Sequence, residues 1–341
     1  MNIYDIARLT NTSTATVSRA INGKLGVSDK TRKKILRIVN ESGFMFNSLA
    51  QGLNLDSIKM VGVLCYDITD VYCAKCVSIL ERLLHDSGYN MILCNTGNED
   101  ISKKRYFDIL LSKKVDAIFM VSSKYSINID NEYIAKAALE IPIALLNSYI
   151  NIDNIYCIVC DDRLAIEEAV SFLASHGHSR IAYLHGELIF SGKRQLQGYL
   201  DGLRANGLEL DQRLIVRNTF SSGTLLSDGE MMAKQLINAG INFTAVLASE
   251  DSYAVGAMKV LQANSIKIPE EVEVIGYDNS FICDYTTPGF SSIDSKIDII
   301  TDFSIRYFLQ KLKGETVPKL TTLTANVVHR ASTQIRTERL L

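Results

Sequence analysis

A chain of 341 residues, 47% of them apolar, exceeds one average domain and can bury more than one core. No apolar run approaches the roughly 20 residues of a membrane-spanning helix. The N-terminus is amphipathic from residue 3 and lacks the apolar core of a secretory signal, and seven cysteines, an odd number, fit free thiols in a reducing cytoplasm better than a disulfide framework.

The net charge of −2 hides an asymmetry. Residues 1–53 hold eight basic residues against three acidic ones, a net +5, and the remainder carries −7. A basic head on an acidic body is what a nucleic-acid contact confined to the head requires.

The first predicted helix is Asn2-Ile-Tyr-Asp-Ile-Ala-Arg-Leu9, with Ile3, Ile6 and Ala7 at helical spacing and Leu9 near its end. Thr10-Asn11-Thr12 reads as a three-residue turn, and Asn11 stands where a left-handed residue is needed, a conformation that Asn tolerates. The next helix lies within Thr12–Asn22. Ser13 is its N-cap candidate, and Val17, Ala20 and Ile21 form one apolar stripe. Thr14, Ala15, Thr16, Ser18, Arg19 and Asn22 leave small or hydrogen-bonding groups elsewhere on its surface. Helix, short turn and small-residue helix make the helix-turn-helix layout. Its second helix meets base edges through its N-terminal residues, and Arg19 can donate two hydrogen bonds to guanine. Gly23–Gly26 is a loop. Ser28 is the N-cap of a third helix, whose Ile35, Leu36, Ile38 and Val39 are expected to close a small core before Gly43 ends it. Lys30, Arg32, Lys33 and Lys34 can meet phosphate, which positions a head without reading sequence.

Ile3-Tyr-Asp-Ile-Ala-Arg8, Ser13-Thr-Ala-Thr-Val-Ser-Arg19, Ile21-Asn22-Gly23 and Val27-Ser-Asp-Lys-Thr-Arg32 closely resemble the N-terminal domain of the lactose-repressor (LacI/GalR) family of bacterial transcription regulators. Asn11 departs from the Gly usual there. The resemblance continues more weakly to His329-Arg-Ala-Ser-Thr333. It implies operator contacts by Tyr4, Ser13, Thr14, Ala15, Thr16, Ser18, Arg19, Asn22, Ser28 and Thr31. Asn47-Ser-Leu-Ala-Gln-Gly-Leu53 resembles the family's hinge helix, which enters the minor groove. By that resemblance Asn47, Ala50 and Leu53 also belong to the DNA-binding set, with Leu53 as the wedge between base steps and Ala50 packing near the partner's hinge. The bare residues fit a plain linker equally, since Gly52 weakens an isolated helix.

From Met60 the chain alternates strands and helices. Strands are expected at Met60–Cys65, Asn90–Cys94, Ala117–Val121, Ile143–Leu146, Tyr156–Val159, Ile181–Leu184, Ala245–Ala248 and Val272–Gly276, and helical periods at Val77–Leu84, Arg105–Leu111, Ala165–Leu173, Leu226–Ile237 and Ala254–Leu261. This is the pattern of doubly wound parallel sheets, and the two halves read as two copies of one architecture. The whole is therefore α/β: an all-α helix-turn-helix head over 1–46, a hinge or linker over 47–57, and a core over 58–341. By the resemblance the core is like a periplasmic binding protein. Its first subdomain is expected at 58–156 and 288–318, its second at 157–287 and 319–341.

Ligands of such sheets bind at the carboxyl ends of strands, where this chain places Tyr66–Cys73, Asn95–Asn98, Ser122-Ser123, Asn147-Ser148, Cys160–Asp162, Ser249–Asp251 and Tyr277–Asn279. Hydroxyls, amides and carboxylates suit a polyhydroxylated sugar, and Tyr72 and Phe220 can stack on its apolar face. Helix capping explains any one of these residues as well. The effector set expected is Asp67, Val71, Tyr72, Cys73, Ser122, Ser123, Asn147, Arg194, Gln195, Phe220, Glu250, Asp251 and Asp278. The resemblance matches well at Asp278 and unevenly elsewhere. Glu250 precedes Asp251 where the family usually has Asn. Gln195 stands where the family has its sugar-binding Arg, three residues before Gly198-Tyr199, with Arg194 one place earlier, so either Arg194 substitutes or the ligand differs.

Cys73-Ala-Lys-Cys76 and Cys157-Ile-Val-Cys160 have the spacing of a zinc site. Cys157 and Cys160 lie on a predicted strand, however, where residues three apart face opposite ways, so small buried thiols are expected instead of a metal. No phosphate loop, nucleophile elbow or His-Glu helix motif is present, the histidines have no identifiable catalytic partner, and neither enzyme activity nor a cofactor is expected. The tail after Thr333 is too short for a tetramer-forming heptad repeat. The reading is a cytoplasmic homodimeric regulator, repressing as is usual in the family, on a near-palindromic double-stranded operator. It would be controlled by a small-molecule effector, a sugar or sugar derivative, with no membrane partner. The rivals are a solute-binding protein of a sugar transport system, an enzyme on the same fold, and a regulator answering to a nucleobase or sugar phosphate.

Overall fold

The computed structural model describes residues 3–21, 24–42, 57–97, 100–122, 132–220 and 224–334. The chain divides into two compact units, Met1–Ile58 and Lys59–Leu341.

In the first unit α1 (Ile3–Thr10), α2 (Thr14–Ile21) and α3 (Asp29–Ser42) close on Ile3, Ile6, Ala7, Val17, Ala20 and Ile35, with Ile21, Val27, Ile38 and Val39 packed against them. The α1–α2 turn is set as the sequence predicts: Asn11 takes φ +55°. The backbone N–H of Thr12 donates to the Ala7 carbonyl at 2.9 Å, which ends α1. The Thr10 hydroxyl is buried against the Ile6 carbonyl at 2.7 Å. Leu36 does not join the core. It lies one step of about 100° round the helix from Ile35 and stays exposed, as does Leu9.

The second unit holds two six-stranded sheets. The first has the order β11-β5-β4-β3-β1-β2, from Leu320–Leu323, Ile155–Cys160, Ile143–Leu146, Ala117–Val121, Met60–Cys65 and Asn90–Asn95. The second has the order β12-β10-β9-β8-β6-β7, from Asn326–Val328, Ser291–Asp294, Glu273–Tyr277, Ala245–Ala248, Ile181–His185 and Ile215–Arg217. All pairings are parallel except β10 with β12. Strands such as Ala117–Val121 and Ile155–Cys160 are buried at every residue, which is why they read as unbroken apolar runs without alternation. Helices α4 (Val71–Asp86), α5 (Asp100–Ser112), α6 (Glu132–Glu140) and α11 (Ile297–Leu312) serve the first sheet. Helices α7 (Asp162–Ser175), α8 (Phe190–Ala205), α9 (Leu225–Asn238) and α10 (Asp251–Ala263) serve the second.

The chain passes between the sheets three times: after Cys160, after Asp294 and after Leu323. The sequence places these passages near 156, 287 and 318. The first shifts because β5 continues, fully buried, to Cys160. The second shifts because Ser291-Ser-Ile-Asp294, too polar to read as a core strand, pairs with β9 and so belongs to the second sheet. The third shifts because Leu320-Thr-Thr-Leu323 adds a parallel edge to β5. A buried cluster runs through the crossings, from Val61 and Phe119 by way of Tyr156 and Cys160 to Tyr183, Leu247 and Ile275.

Candidate nucleic-acid interface and ligand cleft

On the head, burial of Val17 and Ala20 turns Arg19 and Ala15 outward, with Thr14, Thr16 and Ser18 half-buried between. Ser13 caps α2: its Oγ accepts from the Thr16 backbone N–H at 3.1 Å and lies 2.9 Å from the Thr16 hydroxyl. Ser28 repeats this on α3 with Thr31, at 3.3 and 2.9 Å. The four hydroxyls therefore sit in pairs at two helix N-termini, where the helix dipole favours phosphate. Tyr4 is 71% exposed. Lys30, Lys33, Lys34 and Arg37 line a concavity of about 600 Å³ with Thr10, Asn11, Thr12 and Thr31. Arg32, expected at phosphate, turns back to donate to the Lys24 carbonyl at 2.6 Å. Asn22, Asn47, Ala50, Leu53 and Ser123 lie outside the described residues.

In the second unit the carboxyl ends of strands from both sheets surround a cleft of about 660 Å³. It brings together ten of the expected residues: Asp67, Val71, Tyr72, Cys73, Ser122, Asn147, Gln195, Phe220, Glu250 and Asp278. Ser122, Asn147 and Asp278, each next after a strand, have φ of +151°, +60° and +101°. Such backbone strain in non-glycine residues collects where function requires it, and three instances face one cavity. Burial pushes the Asp278 carboxyl well above the usual carboxylate range, and the charges of Asp251, Glu250 and Asp70 push it further. Burial likewise raises the Tyr72 hydroxyl. The Cys73 thiol, raised by its hydrogen bond to Cys65 and by burial, stays protonated.

Two expected residues are not in the lining. Asp251 is buried beneath it. Its carboxylate accepts from the Ser280 backbone N–H and hydroxyl at 2.7 Å each and from the Ser292 hydroxyl at 2.6 Å, tying the start of α10 to the segment after β9. A Cβ on Gly276 would collide with that carboxylate, so the Gly belongs to the same structural device. Arg194 pairs with Asp161 at 2.7 Å and is not among the residues lining the cleft. Gln195, 5% exposed, takes the cleft position instead, with Nε2 3.4 Å from the Ser249 carbonyl oxygen.

The cleft adds residues outside the expected effector set. Asp70 caps α4 through the Cys73 N–H at 2.8 Å. Glu187 follows β6. Asn218 follows β7, a strand too short to read, and donates to Asp228 at 2.8 Å and to the Tyr253 hydroxyl at 3.1 Å. A search after every strand, with β7 included, finds Glu187 and Asn218. Asp228, inside α9, carries no sequence signal.

Cys157 and Cys160 fall in different core clusters on opposite faces of β5, as residues three apart must. Burial raises both thiols. His176 and His178 are structural: they meet the buried Glu273 carboxylate at 3.1 and 3.6 Å.

The model of the bacterial regulatory proteins of the lacI family matches residues 2–47, and that of a periplasmic binding protein-like domain matches residues 170–333. An HTH-type transcriptional regulator of Lachnoclostridium phytofermentans is 38% identical over 335 residues, 98% of this chain and 99% of its own. The chain belongs to the lacI family. As a lacI-family protein it is a transcription regulator and not an enzyme. Among solved structures, the lac repressor dimer bound to operator and the anti-inducer ONPF aligns with a TM-score of 0.84 at 22% identity, covering 98% and 99% of the two chains. The regulator CelR in complex with cellobiose aligns at 0.70 and 24% identity, covering 98% and 100%. Both share the lacI-family fold.

Proposed function

We propose that this lacI-family regulator is a cytoplasmic homodimer that represses transcription from a near-palindromic operator, and that a small molecule seated in the cleft sets its grip on DNA. The observation that carries the reading is the pairing, in one chain, of an outward-facing Arg19 on a capped recognition helix with a strained, polar cleft at the strand ends of the second unit. A transport component would use the same cleft but has no need of such a head. The operator in the lac repressor structure and the sugar in the CelR structure support a duplex and a sugar or sugar derivative as the two ligands.

Selection of bound fragments from the native genome tests this. We expect one near-palindromic motif. Arg19→Ala should weaken binding to it by about 1–3 kcal/mol and relax one base position per half-site. Binding without sequence preference at moderate salt would overturn the reading, and an unchanged preference in the variant would remove Arg19 from base readout.

A further inference from the structure

Asn218 lines the cleft with both of its side-chain polar atoms engaged. The Phe220 backbone N–H donates to one of them at 2.9 Å. A backbone N–H can only donate, so that atom is the amide oxygen, and the other is the nitrogen with two hydrogens to give. One goes to the Asp228 carboxylate at 2.8 Å and one to the Tyr253 hydroxyl oxygen at 3.1 Å. The polarity of that hydroxyl is thereby set. Its oxygen accepts from Asn218, and its single proton is left to be given elsewhere. Burial and the charge of Glu250 hold the Tyr253 hydroxyl above the usual tyrosine range, so the proton stays on. We propose that Tyr253 is a hydrogen-bond donor to the effector, aimed by Asn218, and that it selects for an uncharged acceptor oxygen on a sugar. This deepens the regulatory reading above and rests on it.

Four observations lead there. First, Tyr253 is 2% exposed and lines the cleft from the first turn of α10. A donor so placed is costly unless an acceptor meets it. Second, the approach to it is kept open. Gly186, next after β6, lines the cleft too, and a Cβ there would stand 3.1 Å from the Tyr253 hydroxyl and 3.6 Å from the Glu250 Oε1. Third, the amide that aims Tyr253 also holds the backbone of Phe220, whose ring lines the cleft. An acceptor oxygen beside an apolar face is what a sugar presents to such a pair. Fourth, the first sheet's wall asks for the opposite group. Asn147, 8% exposed at the end of β4, keeps its Oδ1 without a hydrogen-bond partner. Hydroxyl groups accept and donate, so one polyhydroxylated molecule meets both walls at once.

The test is calorimetric titration of the full-length protein with glucose, galactose, mannose, xylose, cellobiose and maltose. The tightest of these is then replaced by analogues that lack its hydroxyl and ring oxygens one at a time. Tyr253→Phe, which keeps the ring, should bind that sugar about tenfold more weakly. Gly186→Ala, which crowds the hydroxyl from outside α10, should weaken it as well, and serves where the first variant misfolds. One analogue should lose about tenfold against the parent and nothing further against Tyr253→Phe, a coupling that general damage to the fold does not produce. Asn218→Ala should likewise add little to Tyr253→Phe. Equal binding by Tyr253→Phe and parent overturns the proposal. So do losses that add fully for every analogue, and so does failure of the whole series at millimolar concentration. Fully additive losses for Asn218→Ala would remove Asn218 as the residue that aims Tyr253. Operator affinity measured on the same samples separates the two readings. Coupled binding through Tyr253 with operator affinity unmoved keeps the donor and removes the regulatory role. A sugar that shifts operator affinity equally in parent and Tyr253→Phe does the reverse.

Discussion

Asp162 is fully buried at the first turn of α7, where the chain has just left the first sheet, and accepts a hydrogen bond from the Tyr277 hydroxyl at 2.5 Å. Burial raises its pKa to about 6, against hydrogen bonds from Tyr277 and Ser191 and the charge of Arg194 that hold it down. Below about pH 4, the ordinary aspartate value, the group is protonated whether the chain is folded or not and costs nothing. Between about pH 4 and 6 the unfolded chain gives up its proton first, so stability falls, and above about 6 the full loss is in place. Asp162→Asn keeps an acceptor for Tyr277 and removes the charge. Denaturant titrations should find the variant more stable by about 1–3 kcal/mol at about pH 8 and equal to the parent at about pH 4; parallel pH profiles would show that Asp162 does not carry this loss. The same residue scale sets the limit of what the sequence reveals. Asp251 and Asp278 look alike on the page, each a carboxylate just past a strand. One begins α10 and points into serine hydroxyls, and the other sits at φ +101° and faces the cleft. Backbone dihedrals decide between them, and spacing does not encode those.

Elements are more legible where one face or both faces are apolar. The recognition helix is legible from its apolar stripe, and eight strands are legible from apolar runs, most of them buried throughout as in β3 and β5. The β7, β10, β11 and β12 strands escape because each is three or four residues long or lies at or near a sheet edge with polar residues. Helix α8 escapes because Gly192, Gly198 and Gly202 interrupt its apolar period. Those glycines mark close packing instead. A Cβ at Gly198 would strike the Arg163 carbonyl. The pair α9 and α10 repeats the device: a Cβ on Gly256 would strike the Leu226 carbonyl and come within 2.6 Å of the Glu230 nitrogen, and one on Gly229 would come within 2.6 Å of the Tyr253 carbonyl oxygen. Backbone cannot rotate aside as a side chain can. Gly256→Ala should therefore destabilise the second unit by about 1–3 kcal/mol through overpacking, despite alanine's better helix propensity. Urea unfolding measures it, and a stability gain would mean the helices are free to slide apart.

At the scale of the whole chain, a reader of duplex and a ligand cleft lie in separate compact units, so the reading demands a coupling free energy and not a shared surface. A ligand moves the operator equilibrium only by its differential affinity for the DNA-gripping and DNA-released states. Linkage then fixes a quantity that no choice of pathway can alter: the factor by which the effector changes operator affinity equals the factor by which operator changes effector affinity. Titrating an effector that binds the cleft, with and without saturating operator, and the operator, with and without saturating effector, should return the same ratio. If the effector weakens operator binding, operator must weaken effector binding equally, and the effector is an inducer. If both tighten together, it is a co-repressor. Two ratios that disagree would mean that the two ligands are not acting on one equilibrium, and a ratio of one in both directions would uncouple the cleft from the head.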